Sequence, residues 1–515
     1  MSTQIYKEYL SGVNYKNEMG LYNTVDVNER FYAGTQWYGI PSEGLPTPVF
    51  NFIKRGVDWK VAQVKERALA ISYFASGVGR AVSASEKKQE VFAKLLTEWA
   101  AAEWEYLKMD FLNLEGLKDA AISGDYLLYF YWDVKKSTAN GFKGDISAQI
   151  IDSVNYYPGD VNEPSIEKQP YIILVFRSLV SEVKKMAEEE GLSKEEIDMI
   201  RPDNEYEYQA GDMAKTENGE KCLVFLKMYK QKDASGSEYV WFLKSTKDVT
   251  FKKPIKTKNH LYPIAKMSWY FRKNSAFGSA EVSSLIPNQV YANKAMALNM
   301  LHLIQSASPR VIFDATRIKK WSNALSCAIP VMGDIGGVAS YMQPPTLSYD
   351  TYKMFDIAKA TSLEMMGANE AVLGNVNATN TSAFIAVRES ALTPIASIQE
   401  RFYNMVEDVA RIWLDFFFGY YTAKRPVRIK GGDGYNYVYL PKIGYEAESF
   451  ELKIDVGPAA MWSEINTVNN LSSLLSEGVI NEQEYLERLP DGHIPDKEGI
   501  IERIKKEKDI SGIDK

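Results

Sequence analysis

Apolar positions recur at helical spacing through most of the first 120 residues, interrupted once by a turn-rich patch at 34–48. The helix after that patch begins near Asn51 and carries Phe52, Ile53, Val57, Val61, Val64 and Leu69 on one face. A capping box of Ser83 and Glu86 predicts a further helix, whose stripe of Phe92, Leu95, Leu96, Trp99, Leu107 and Leu112 runs on towards Leu117. Gly124-Asp125 ends that pattern, and the aromatic run 126–132 predicts a strand, as do 146–151 and 170–177. Two short helices come next, separated by Gly191, the second capped by Ser193 and Glu196. Two apolar runs around the turn 233–237 predict a hairpin, and strands follow near Thr250 and Ala265.

The pattern changes after Ala276. Between Val282 and Pro309 the only formal charge is Lys294, and apolar residues cover nearly the whole circumference of a helix about 30 Å long. Pro287 fits its first turn. Such a helix needs neighbours on several sides. Asn288, Gln289, Asn293, Asn299, His302 and Gln305 interrupt it too often for a lipid span, so those neighbours are expected to be protein. A compact segment with strand-like ends, a short helix and a Gly-rich turn follows, then a helix from Tyr349 to about Met366. A polar stretch leads into a helix from Ser382 towards Tyr421 that Pro394 should kink or break. The tail combines a Gly-rich turn at 430–434, strands at 435–440 and 450–456, and short helices stopped by Gly478 and opened by Asn481 with Glu484.

Composition narrows the function classes. With 45% hydrophobic residues, 32 Tyr and 10 Trp, the 515-residue chain can fill several cores and is not a disordered sequence. Its net charge of −7 argues against a DNA-coating protein. Locally the balance swings, with 13 acids and 5 bases in 182–220 but 13 bases and 3 acids in 221–273. Strands with one wet face account for those lysines more simply than nucleic-acid binding does. Cys222 and Cys327 offer neither a disulfide framework nor metal-ligand spacing, and a reducing compartment is expected. The amino terminus lacks a secretory pattern, and no apolar run is long enough to span a bilayer. No P-loop, zinc-ligand or nucleophile-elbow motif is present, and His260, His302 and His493 lie far apart. His302 reads as a packing residue. An enzyme is the weaker expectation, with no catalytic, metal or cofactor site assigned.

Four stretches resemble the portal proteins of tailed bacteriophages. The first is Asn28-Glu29-Arg30-Phe31-Tyr32-Ala33-Gly34-Thr35-Gln36-Trp37 with Pro48-Val49-Phe50-Asn51-Phe52-Ile53. The second is Phe277-Gly278-Ser279 leading to Ile286-Pro287-Asn288-Gln289. The third is the helix–insertion–helix unit, similar to a portal's stem, clip and stem. The fourth is Asn377-Ala378-Thr379-Asn380-Thr381-Ser382-Ala383 before Ile385-Ala386-Val387-Arg388-Glu389-Ser390-Ala391. The tail at 474–486 is similar to portal crown helices, so the likeness covers nearly the whole chain. An aromatic-rich turn stapling two helices is the plainer account of the first stretch.

The resemblance implies an α+β, portal-like fold: a mixed α/β wing (1–275 with 382–460), stem helices (276–308 and 347–368), a small α/β clip (309–346), a channel loop (369–381) and a helical crown (461–515). It implies a ring of about twelve copies, in which Val290, Met296, Leu298, Met300, Leu301 and Ile304 meet neighbouring subunits. Arg310, Arg317, Lys319, Lys320 and Trp321 would face the terminase large subunit and later a head–tail adaptor, or form a solvated helix face. Asn375, Asn377, Thr379, Asn380 and Thr381 would line the channel, where small neutral side chains let double-stranded DNA slide without sequence preference. A plain loop is the alternative there. Major capsid and scaffolding proteins are further implied partners, with no membrane, in the virion and, during assembly, the host cytoplasm. Two other classes stay open: a nucleic-acid-processing enzyme using carboxylate-bound Mg²⁺, and a monomeric adaptor whose central helix is covered by its own chain.

Overall fold

The computed structural model describes residues 1–42, 44–75, 84–137, 142–203, 220–307, 310–322, 329–342, 350–368, 381–421, 425–431, 434–439, 450–456, 471–489 and 500. Helices α1 (Ser2–Glu18), α2 (Leu21–Ala33) and α3 (Phe52–Lys65) precede strand β1 (Leu69–Ala75). Then come α4 (Ala84–Tyr106), α5 (Met109–Ser123), β2 (Asp125–Ser137), β3 (Lys143–Ile151), β4 (Tyr156–Pro158) and β5 (Tyr171–Leu179). After α6 (Val180–Glu189) and α7 (Lys194–Met199) lie β6 (Lys221–Lys232), β7 (Glu238–Ser245), β8 (Lys252–Lys256) and β9 (Ile264–Ser268). The remainder is α8 (Glu281–Ala307), β10 (Arg310–Phe313), β11 (Ala339–Met342), α9 (Asp350–Met365), α10 (Thr381–Tyr420), β12 (Pro426–Gly431), β13 (Gly434–Tyr439), β14 (Phe450–Val456), α11 (471–476) and α12 (Glu482–Arg488).

The chain forms two compact units, one from Met1–Val61 with Lys108–Tyr421, the other from Ala62–Leu107 with Thr422–Lys515. In the first, antiparallel sheets β4-β5-β6-β7-β8 and β3-β2-β9 share a core. Alternate residues of β5 go to opposite faces: Ile172 and Leu174 join Leu127, Tyr262 and Phe277, while Ile173 and Val175 meet Ile5 and Tyr9 of α1. Burial on both faces explains why this strand reads as an unbroken apolar run. In the second unit β1 pairs antiparallel with β14, from Leu69↔Val456 to Ala75↔Phe450, and α4 lies against β1 and β12.

Several expectations change. The stripe read from 83 towards 117 is two helices, broken at Lys108, whose φ of 54° is left-handed. No glycine or proline announces the break, so the continuous stripe hid it. Ser83 lies outside the described residues. Pro287 sits in the second turn of α8, because the helix starts at Glu281 and a missing proline N–H removes only one bond there. Likewise α10 runs through Pro394 without breaking, its later turns buried along Ile395, Ile398, Phe402 and Val406. After β10 the Asp314 carboxylate accepts from the Thr316 N–H and hydroxyl in a turn, and 323–328, part of the segment in which a short helix was expected, lies outside the described residues.

The lysine-rich strands find acids elsewhere in the chain: Lys227 pairs with Glu8, Lys230 with Glu167, Lys252 with Glu190, Lys256 with Asp233 and Lys266 with Asp125. Of these acids only Glu190 belongs to the acidic stretch 182–220, so the basic strands are neutralised mainly by carboxylates from other parts of the fold.

Candidate functional site

The first two sequence stretches meet at the root of α8. Asn51 caps α3 by accepting from the Lys54 N–H, and its amide donates back to the carbonyls of Phe31 and Tyr32 at the end of α2. Gln36 also donates to the Phe31 carbonyl, at 2.9 Å, and its own oxygen accepts from the Asn293 amide on α8. Asn293 accepts in turn from Gln289, which also donates to the Phe50 carbonyl at 2.9 Å. Nearly two turns before Gln289, Asn28 donates to the hydroxyl of Ser283, and it also donates to the Ile122 carbonyl.

Glu281, at the start of α8, is buried. A single carboxylate oxygen accepts from Lys60 (2.8 Å), the Trp269 indole (2.8 Å) and the Tyr270 hydroxyl (2.7 Å). Desolvating both charges costs several kcal/mol each, which the extra donors offset. Nearby, Asp125 accepts from the Gly278 N–H, Ser268 and Lys266. A Cβ on Gly278 would stand 2.5 Å from the Gly124 carbonyl oxygen, so the second stretch needs glycine for close backbone approach.

Carboxylates of α2, α5 and the turn after β3 lie in one electrostatic neighbourhood. Burial, reinforced by Asp152, Glu29 and Glu115, pushes Asp119 up to about 7, and burial also raises Glu29 and Asp152.

Farther along, α8 packs on α9, α2 and α5 and buries Ala292, Ala295 and Ala297, but one face stays open. Tyr291 is 51% exposed and Leu298 53%, and beyond Asn299 no residue of the helix is buried: Leu303 is 59% and Ile304 55% exposed. Of the candidate stem contacts, Leu298, Met300 and Ile304 are exposed, whereas Val290, Met296 and Leu301 are half-buried. On α9, Met354, Ile357 and Met365 are also exposed.

Of the clip candidates, Arg310 opens β10, and Arg317, Lys319, Lys320 and Trp321 lie in the connection between β10 and β11. Arg310, Arg317, Lys319 and Lys320 are exposed, while half-buried Trp321 stacks on Phe313 at 5.7 Å. Asn375, Asn377, Thr379 and Asn380 lie outside the described residues, and Thr381 is the first residue of α10. Sequence reasoning missed Lys60, Glu281, Trp269 and Tyr270; only a glutamate at the head of an almost uncharged helix hinted at them. Among the described residues no His, Cys, Asp or Glu group is placed to hold a metal, and no helix is long and apolar enough to cross a membrane.

The site therefore combines a buried polar root, a helix with one apolar face open among the described residues, and a pair of short antiparallel strands beyond it. The family model for Phage P22-like portal protein matches residues 195–515, more than half of the chain. The chain belongs to the P22-like phage portal protein family. No curated protein matches it.

Proposed function

We propose that the chain assembles into a ring of about a dozen copies at one vertex of a phage capsid, where double-stranded DNA passes through the centre during packaging and ejection. The wing is the mixed body, α8 and α9 are the stem, the β10–β11 hairpin belongs to the clip, and α11 and α12 belong to the crown. The clip docks the terminase large subunit and later a head–tail adaptor, with Arg310, Arg317, Lys319 and Lys320 as exposed cations for that contact. The segment 369–381 lines the channel. Capsid and scaffolding proteins surround the outer rim.

The observation that carries this reading is the open face of α8. Tyr291, Leu298, Leu303 and Ile304 are each more than half exposed on a single chain, and covering them between copies stabilises by about 1 kcal/mol per side chain. Family membership supports the same reading. Negative-stain images of the purified protein test it: end-on rings with a central hole are expected, and isolated particles at assembly concentrations would refute it.

A further inference from the structure

The root of α8 is held at two levels, both buried and both directional. At the first, one oxygen of Glu281 gathers donors from Lys60, Trp269 and Tyr270. At the second, two turns on, Gln289 and Asn293 form an amide chain to Gln36 and to the carbonyl of Phe50. Amide hydrogen bonds tolerate only a narrow range of distance and angle, so this chain restricts the rotation and tilt of the helix. The apolar contacts beside it, Ala292, Ala295 and Ala297, are small and tolerate sliding far better. Past Asn299 no residue of the helix is fully buried and only Leu301 and His302 are half-buried, so the root has the larger say in where its far end points.

The arrangement is a poor choice for stability alone. The Oε1 of Gln289 is buried without a hydrogen-bond partner among the described residues, and an apolar pair of the same shape would be neutral or better. In a head-to-tail ring each copy meets the next at one fixed rotation, and a change in that rotation alters the copy number or leaves the ring open.

We infer that Gln36, Gln289 and Asn293, with the Lys60–Glu281 pair, are positioning residues for assembly: they fix the direction of α8 so that the ring closes at a single copy number. This rests on the ring reading above. The amides act through α8 and touch neither DNA nor a neighbouring copy in this account.

The test uses the full chain carrying Gln36→Leu and Asn293→Leu together, which removes both ends of the Asn293–Gln36 bond, along with the bonds from Gln36 to Phe31 and from Gln289 to Asn293, and leaves Gln289 its contact with Phe50. The expected result is a melting temperature modestly below that of the parent chain, because one Gln289 N–H loses its acceptor, but native mass spectra showing a spread of copy numbers or open arcs. The parent's single copy number, kept unchanged, would overturn the inference. Gln289→Met, close in shape to glutamine, gives the same reading if the double variant does not fold. Hydrogen exchange along 281–307 in the unassembled chain provides a readout independent of rings. Faster exchange confined to α8 is expected, whereas unchanged exchange there, or a uniform rise across α1 and the five-stranded sheet, would overturn it. If the parent forms no ring, the proposed function falls while the exchange data still decide the clamp.

Discussion

Glu281 holds Lys60 inside the fold, and each is expensive to leave alone. In Glu281→Gln the lysine keeps its charge and loses the counter-charge, so stability in urea should fall by about 3 kcal/mol. Adding Lys60→Met should recover most of that loss, because the stranded charge goes with it. Asp119 behaves oppositely to a salt-bridged acid. Its folded pKa of about 7 lies above the ordinary carboxylate value near 4, so ionising it costs the folded state. That cost is absent below about pH 4 and grows as pH rises to about 7, and the raised Glu29 and Asp152 act in the same direction. Asp119→Asn should therefore raise the melting temperature at pH 8 and change it little near pH 4. Equal shifts at both values would contradict the assignment.

At the scale of elements, the loop between β9 and α8 depends on two backbones touching. Gly278→Ala would force a methyl group against the Gly124 carbonyl, and a loss of about 2 kcal/mol is expected in thermal or urea unfolding. Local signals made much of the chain legible. The capping boxes at Ser193/Glu196 and Asn481/Glu484 form as read, and the hairpin of β6 and β7 closes around its turn. Long-range pairing was not legible: Leu69 of β1 meets Val456, and no local pattern encodes a partner so far away. The break at Lys108 escaped because a lysine in a left-handed conformation carries no sequence signature. The candidate site was half visible. Gln36, Asn51 and Gln289 stood out within their motifs, but that Gln36 reaches Asn293 depends on packing between α2, the 34–51 turn and α8.

At the scale of the molecule, the family match begins in α7, yet the structure ties residues 28–60 to α8 inside the matched span. Residues 28–60 thus belong mechanically to the helix they support. Whether that helix faces neighbours can be decided by charge. Leu298 and Ile304 are more than half exposed, so Leu298→Asp with Ile304→Asp removes little packing within one chain. Surface changes of this kind usually move stability by no more than about 0.5 kcal/mol each. In a ring the same carboxylates would be buried against the next copy, unpaired, at several kcal/mol per interface. The variant should therefore melt like the parent in dilute solution yet sediment as a monomer where the parent sediments as a ring. Equal oligomer in both would mean that this face of α8 is not where copies meet, and a large fall in the monomer's melting temperature would mean that the chain covers it by itself.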